Sequence, residues 1–283
     1  MNFFGALAFN KVAQTVAGNI INPQLLQYNV KIIIPALLAA IIWNLITWFF
    51  GLPNSSAHTL IGALVGAFIS TIGPTAINYE GLIIILKSLF FSPLIAFLTG
   101  FSLMNLCRVI IFFLWPNEPN KYFIWLQRFS VIGQAFAHGT NDAQKTIGII
   151  VLSLAAENCL PSPQTYWEIK IAVASALALG TAMGGWRIIN TISKKITKLE
   201  PANGFIADLS SVLVILGATF FGLPVSTTHV VSMAIIGTGI AKSFTMVNWP
   251  TVLKLILAWG ATLPVTVILG ATFSNLFLFF ANS

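Results

Sequence analysis

Between residues 138 and 145 the chain places an imidazole, a carboxamide, a carboxylate, a second carboxamide and an ammonium group: His138, Asn141, Asp142, Gln144 and Lys145. They lie in Phe136-Ala-His-Gly-Thr-Asn-Asp-Ala-Gln-Lys-Thr-Ile-Gly-Ile-Ile150, with apolar sequence on both sides. Such groups can ligate a cation, carry a proton or pair with an anion. On a helix at about 100° per residue, Gln134, His138, Asn141, Asp142 and Lys145 share one narrow face, with Phe136, Ala143, Ile147 and Ile150 opposite. Lipid would penalise that polar stripe, since an acid near the bilayer centre costs about 2.5–3.5 kcal/mol, so the stripe points into protein or a watery cavity. Two readings stand at this point. Asp142 and Lys145 at i, i+3 either form a pair that only helps helices pack, or belong to an ion or substrate site.

The elements that must hold this stretch are membrane helices. Of the 283 residues 57% are hydrophobic and 7% charged, with mean hydropathy +0.89; soluble domains carry about 25% charged residues. The composition therefore gives an all-α polytopic membrane protein. The net charge of +7 reads as Lys and Arg retained in cytoplasmic loops, not as a nucleic-acid surface. Cys107 and Cys159 lack metal-like spacing and imply no disulfide framework. No leader with a small-residue cleavage site precedes the first apolar segment.

Residues 2–22, interrupted by Asn10, Lys11 and Gln14, make a poor isolated span, whereas 30–50 have the length a bilayer core needs. Segment 82–115 is expected to divide at Pro93 and Gly100. The polar segment 116–128 is expected as a cytoplasmic connecting loop between a first half (1–115) and a second half (129–283). The motif helix runs to about residue 156, and 157–168 (ENCLPSPQTYWE) is an external loop. The segment 169–189 carries Gly180, Gly184 and Gly185, which would allow close helix approach and, if two copies met there, a homodimer. The basic stretch 186–200 is expected as an amphipathic helix on the cytoplasmic surface. Spans 203–221, with Asp208, and 250–280, around Trp259 and Pro264, complete the chain.

GLPNSSAHTLIGALVGAFI and GLPVSTTHVVSMAIIGTGI repeat one motif. Gly51 matches Gly222, Ser55 matches Ser226, Ser56 matches Thr227, His58 matches His229 and Gly66 matches Gly237, all at 222 − 51 = 171. Paired Gly/Pro-interrupted apolar segments point to a transporter's binding site. Proline can open a half-helix whose N–H groups and positive dipole end face inward, and Ser or Thr adds donors, so two facing ends would cradle a phosphate-like oxyanion. The blander alternative is a pair of ordinary helix caps. At the same offset the Asp142 motif has no first-half counterpart, because its position falls before Met1. All three histidines, His58, His138 and His229, lie in these motifs.

AHGTNDAQKTIGII, GLPNSSAH and GLPVSTTH, together with WNLITWFFGLP, SPLIAF, GFIADLSSVLVILGATFFGLPVSTTH and AWGATLP, resemble the inorganic phosphate transporter family along nearly the whole chain. The resemblance implies an inverted-repeat, all-helical symporter with broken or re-entrant helices, taking up orthophosphate with Na⁺ or H⁺ through the cell (plasma or inner) membrane. It places cation binding and coupling at Asn141 and Asp142, the Na⁺ ligands if sodium is the ion, with Asp208 where the family usually has Glu. It places phosphate contacts at Ser55, Ser56, Ser226, Thr227 and Thr228, helped by Gln144 and Thr146. His58, His138, His229 and Lys145 are expected to support the site. Family members carry an earlier helix with its own Asp signature, and hydroxyl residues where Asn54 and Ala57 stand here. The alternatives are a carrier of a related oxyanion such as sulfate, or an inactive truncated remnant. An intramembrane Ser–His hydrolase is disfavoured because duplicated breakers have no role in a nucleophile–base pair.

Overall fold

The computed structural model describes residues 1–21, 25, 30–114, 119–157, 159, 163–198 and 200–282. Eleven α-helices occur among them: α1 Asn2–Ala8, α2 Lys11–Asn19, α3 Ile33–Phe49, α4 Ser56–Thr71, α5 Tyr79–Leu114, α6 Pro119–Ala156, α7 Pro163–Met183, α8 Trp186–Asn190, α9 Pro201–Phe220, α10 Thr227–Lys242 and α11 Trp249–Asn282. Helices α5, α9 and α11 are long and apolar enough to cross a membrane, and α7 joins α8 and the π-helical Thr191–Lys195 through a 58° bend. In lipid every backbone group must be satisfied within the chain, which leaves helices as the spanning unit here.

Several expected breaks are helical instead. Residues 119–128, expected as loop, are the opening turns of α6; Phe123 turns inward and is buried with Met104 and Ile206, which gives those turns a core face. Residues 115–118, as well as 158 and 160–162 of the expected external loop, lie outside the described residues. Residues 163–168 of that loop already belong to α7. Pro93 and Pro264 sit inside continuous helices. A proline removes one backbone hydrogen bond, and packed neighbours in a membrane helix tolerate that. Gly180 has open space around its Cβ position among the described residues of this chain, so no helix of the chain makes the expected close approach there, whereas Gly184 (φ 84°) makes the bend into α8.

The duplicated GLPxSxxH motif can now be read atom by atom. Gly51 (φ 64°) and Gly222 (φ 73°) adopt the left-handed turn that ends α3 and α9. Leu52 N donates to Thr47 O and Leu223 N to Ala218 O, the six-to-one bond of a Schellman cap. Ser55 and Ser226 are the N-caps of α4 and α10, accepting from His58 N at 3.2 Å and His229 N at 3.3 Å. Capping therefore falls to serine, with Pro53 and Pro224 two residues upstream, and not to a proline at the helix start.

The halves interlock. Helix α4 packs along α11 of the other half, and α10 along α5. Equivalent glycines make both approaches: a Cβ at Gly66 would fall 1.9 Å from Val267 O, and one at Gly237 2.3 Å from Phe97 O. Helix α6 runs between α1, α2, α7, α9 and α10, which shields its polar stripe from lipid.

Candidate substrate site

The α6 stripe meets the second breaker. Asp142 Oδ1 receives Lys145 Nζ at 2.6 Å, and Oδ2 lies 3.0 Å from His138 Nε2 and accepts from Thr227 Oγ1 at 3.0 Å. Lys145 also donates to Val225 O at 2.7 Å. The i, i+3 pair expected as the bland reading is thus present, but it forms at the N-terminus of α10 and includes that helix's first residue. Asn141 ties the same turn to α9: its Nδ2 donates to Thr219 Oγ1 and Leu223 O, and its Oδ1 accepts from Val225 N.

The two breakers also meet each other. His58 and His229, the third residues of α4 and α10, have ring centroids 5.0 Å apart, and His229 stacks on Trp259 at 4.1 Å. His58 Nδ1 lies 2.7 Å from Ser55 Oγ. Two helix N-termini therefore face one another across a histidine pair. Each cap serine satisfies the third N–H of its helix, leaving the first two as orphan donors with the positive end of the dipole behind them. Ser56 and Thr146 are exposed, Thr228 is half-buried, and Ser55, Ser226 and Thr227 are buried.

Two candidate residues sit elsewhere. Asp208 accepts from Ser130 Oγ at 2.8 Å; Ser130 is more than three turns along α6 from Asp142, about 18 Å at 1.5 Å per residue. Gln144 is fully buried and occupied by structure. Its Oε1 accepts from Val12 N and Ala13 N, and its Nε2 donates to Thr140 O. It caps α2 in trans, where the side chain of the N-cap Asn10 makes no capping bond and accepts instead from Lys170 Nζ at 2.8 Å.

Other neighbours of the site were not expected from sequence. Asn54 Oδ1 accepts from Ser55 N and from Thr262 Oγ1, and its Nδ2 donates to Thr59 Oγ1. The Asn54 amide is what braces the first breaker. Trp259 Nε1 donates to Pro53 O, and Ser88 Oγ to Pro224 O. These donors are themselves 171 residues apart, so each half holds the breaker proline of the other. The common offset was the available signal.

The phosphate transporter family model matches residues 1–116 and 114–270. The chain belongs to the phosphate transporter family. A relative in Bacillus subtilis (strain 168), named a probable low-affinity inorganic phosphate transporter, is 45% identical over 273 residues, 96% of this chain and 82% of its own length. A protein of the same name in Rhizobium meliloti (strain 1021) is 38% identical over 273 residues, 95% of this chain and 81% of its own. A solved structure titled the sodium-dependent phosphate transporter shares the fold, with TM-score 0.85 over 98% of this chain and 88% of that one at 22% identity. This phosphate transporter family member is an all-α, multi-pass integral membrane protein, and its family is one of transporters, not enzymes.

Proposed function

We propose that the chain is a secondary active phosphate symporter working by alternating access, with phosphate held between the N-termini of α4 and α10. The observation that carries this reading is the meeting of the two half-helix ends at His58 and His229, with Asp142 and Lys145 against one of them. Orphan N–H groups at Ser56, Ala57, Thr227 and Thr228 supply directed donors, and the two dipoles supply positive potential. The hydroxyls of Ser55, Ser56, Ser226, Thr227 and Thr228 are the side-chain donors nearest those ends.

Cation coupling follows from charge. A phosphate dianion beside the Asp142 carboxylate is unfavourable unless positive charge enters with it, because the interaction of like charges grows as water is excluded. Asp142 already takes Lys145 and His138, so an added Na⁺ or H⁺ would offset the incoming dianion. Asn141, placed between α9 and the breaker, is the second cation ligand in this reading. The name of the solved relative and the enclosed carboxylate favour sodium.

The test is radiolabelled phosphate uptake by this chain in proteoliposomes under an inward Na⁺ gradient, an inward H⁺ gradient, or neither. Uptake driven by one gradient and unaffected by excess sulfate is the expected result. Sulfate competition at equal strength would reassign the substrate, and folded protein with no uptake under any gradient would overturn the reading.

A further inference from the structure

The repeat extends beyond the breakers, at a different offset. Asn78 N donates to Ile20 O and Asn248 N to Ile196 O, while Ile21 bridges Ile77 and Thr197 bridges Val247. Residues 11–21 and 187–197 therefore occupy matching places, 187 − 11 = 176 apart. Each segment begins with a cation followed four residues later by threonine: Lys11 and Thr15 in one, Arg187 and Thr191 in the other.

Each cation ends on the equivalent carbonyl of the opposite half. Lys11 Nζ donates to Phe220 O at 3.0 Å and lies 4.6 Å from the centre of the Phe220 ring. Arg187 Nη1 donates to Phe49 O at 2.6 Å, with its guanidinium 4.8 Å from the Phe49 ring centre. Phe49 and Phe220 are the last residues of α3 and α9, two residues before the positive-φ glycines. Those glycines rest on the same two segments. A Cβ at Gly222 would meet Lys11 Cβ at 3.1 Å and Thr15 Oγ1 at 3.3 Å, and one at Gly51 would meet Arg187 O at 3.3 Å and Thr191 Oγ1 at 3.5 Å. Thr191 Oγ1 also donates to Gly51 O at 2.8 Å.

A helix C-terminus has orphan carbonyls and the negative end of the dipole, so a cation there holds it, and an aromatic face beneath the cation strengthens the contact. In the sequence Lys11 only interrupts an apolar segment and Arg187 belongs to a basic stretch expected on the cytoplasmic surface; in the structure both bind helix C-terminal ends of the opposite half.

We infer that Lys11 and Arg187 are a matched pair of positioning residues, each latching the helix that leads into the other half's breaker. With Lys11 seated, α9 and the turn at Gly222 hold the α10 N-terminus in place. With Arg187 seated, α3 and the turn at Gly51 hold the α4 N-terminus. Release of one latch frees one breaker to move while the other stays held. In an inverted repeat the two movements open the site to opposite sides of the membrane. The inference rests on the alternating-access reading above, and its test reads accessibility rather than phosphate, so the two can fail separately.

Thr146→Cys, on the exposed turn beside Asp142, serves as reporter in a Cys159→Ser background, with Cys107 left buried. Membrane-impermeant maleimide is applied to one side or the other of oriented proteoliposomes. Lys11→Met is expected to raise labelling several-fold from one side and lower it from the other. Arg187→Met is expected to do the reverse, and the double variant to return towards the parent. A shift of both single variants in the same direction, or no shift, overturns the inference. If either Met variant fails to fold, Thr15→Val and Thr191→Val decide it by the same rule, because each loosens one seat and keeps its cation: opposite shifts support the latches, and parallel or absent shifts overturn them.

Discussion

Asp142 is where the chemistry and the stability of this protein meet. Its carboxylate is enclosed with Lys145, whose side chain is 5% exposed against 13% for Asp142, and both partners also bind the second breaker. Removing one member of such a pair leaves an uncompensated charge, which costs about 3–5 kcal/mol, whereas removing both costs far less. Lys145→Met should therefore lower stability in detergent by about that amount, and Lys145→Met with Asp142→Asn should recover most of it. Asp142→Asn alone should leave a protein that elutes as a single species but takes up phosphate no faster than empty liposomes under any cation gradient. Full gradient-driven uptake by that variant would remove Asp142 from the coupling step. Gln144 carries the opposite lesson. It stands in the middle of the polar motif, yet its amide holds the start of α2. Motif membership is visible in a sequence, while the partner of an amide is set by what packs against it.

At the scale of elements, GLPxSxxH is a complete instruction for stopping one helix and starting another. Glycine takes the left-handed turn, leucine closes the Schellman bond, proline prevents continuation, serine caps the next helix and histidine occupies its third position. All of that is local, and the motif predicted both breaks. The helices that follow depend on long-range contact. Gly66 lies against Val267 O and Gly237 against Phe97 O, closer than a Cβ allows. Gly66→Ala and Gly237→Ala should each cost about 1–3 kcal/mol through forced separation of the paired helices, read as a lower melting temperature in detergent. Gly180→Ala, inside α7 with no described residue near its Cβ position, should not lower it and should raise it slightly through helix propensity. Equal effects at all three would show that glycine content, and not close approach, is what matters.

Across the whole molecule, each breaker is built by one half and held by the other. Helix α4 lies on α11 and α10 on α5, Trp259 binds Pro53, and Ser88 binds Pro224. Neither half can lose its long helix without exposing the other's breaker, so thermal unfolding should be one cooperative transition by tryptophan fluorescence and by light scattering. Two separated transitions would contradict the interlocking. The symmetry is also incomplete. A cavity of about 620 Å³ between α5 and α9 is lined by Ser88, Val214 and Val225, where the matching positions of the other half carry Trp259, Trp43 and Asn54. By itself the sequence determined the membrane class, the two GLPxSxxH breaks, the repeat and the family, because hydropathy, caps and a 171-residue offset are local or self-similar signals. Tertiary structure alone decided that the two breakers meet at His58 and His229. It also decided that Asp208 stands apart from Asp142, that Gln144 is a brace, and that Lys11 and Arg187 clasp helix ends. Those outcomes depend on which surfaces the close glycine contacts bring together, and spacing along the chain does not encode the partner across it.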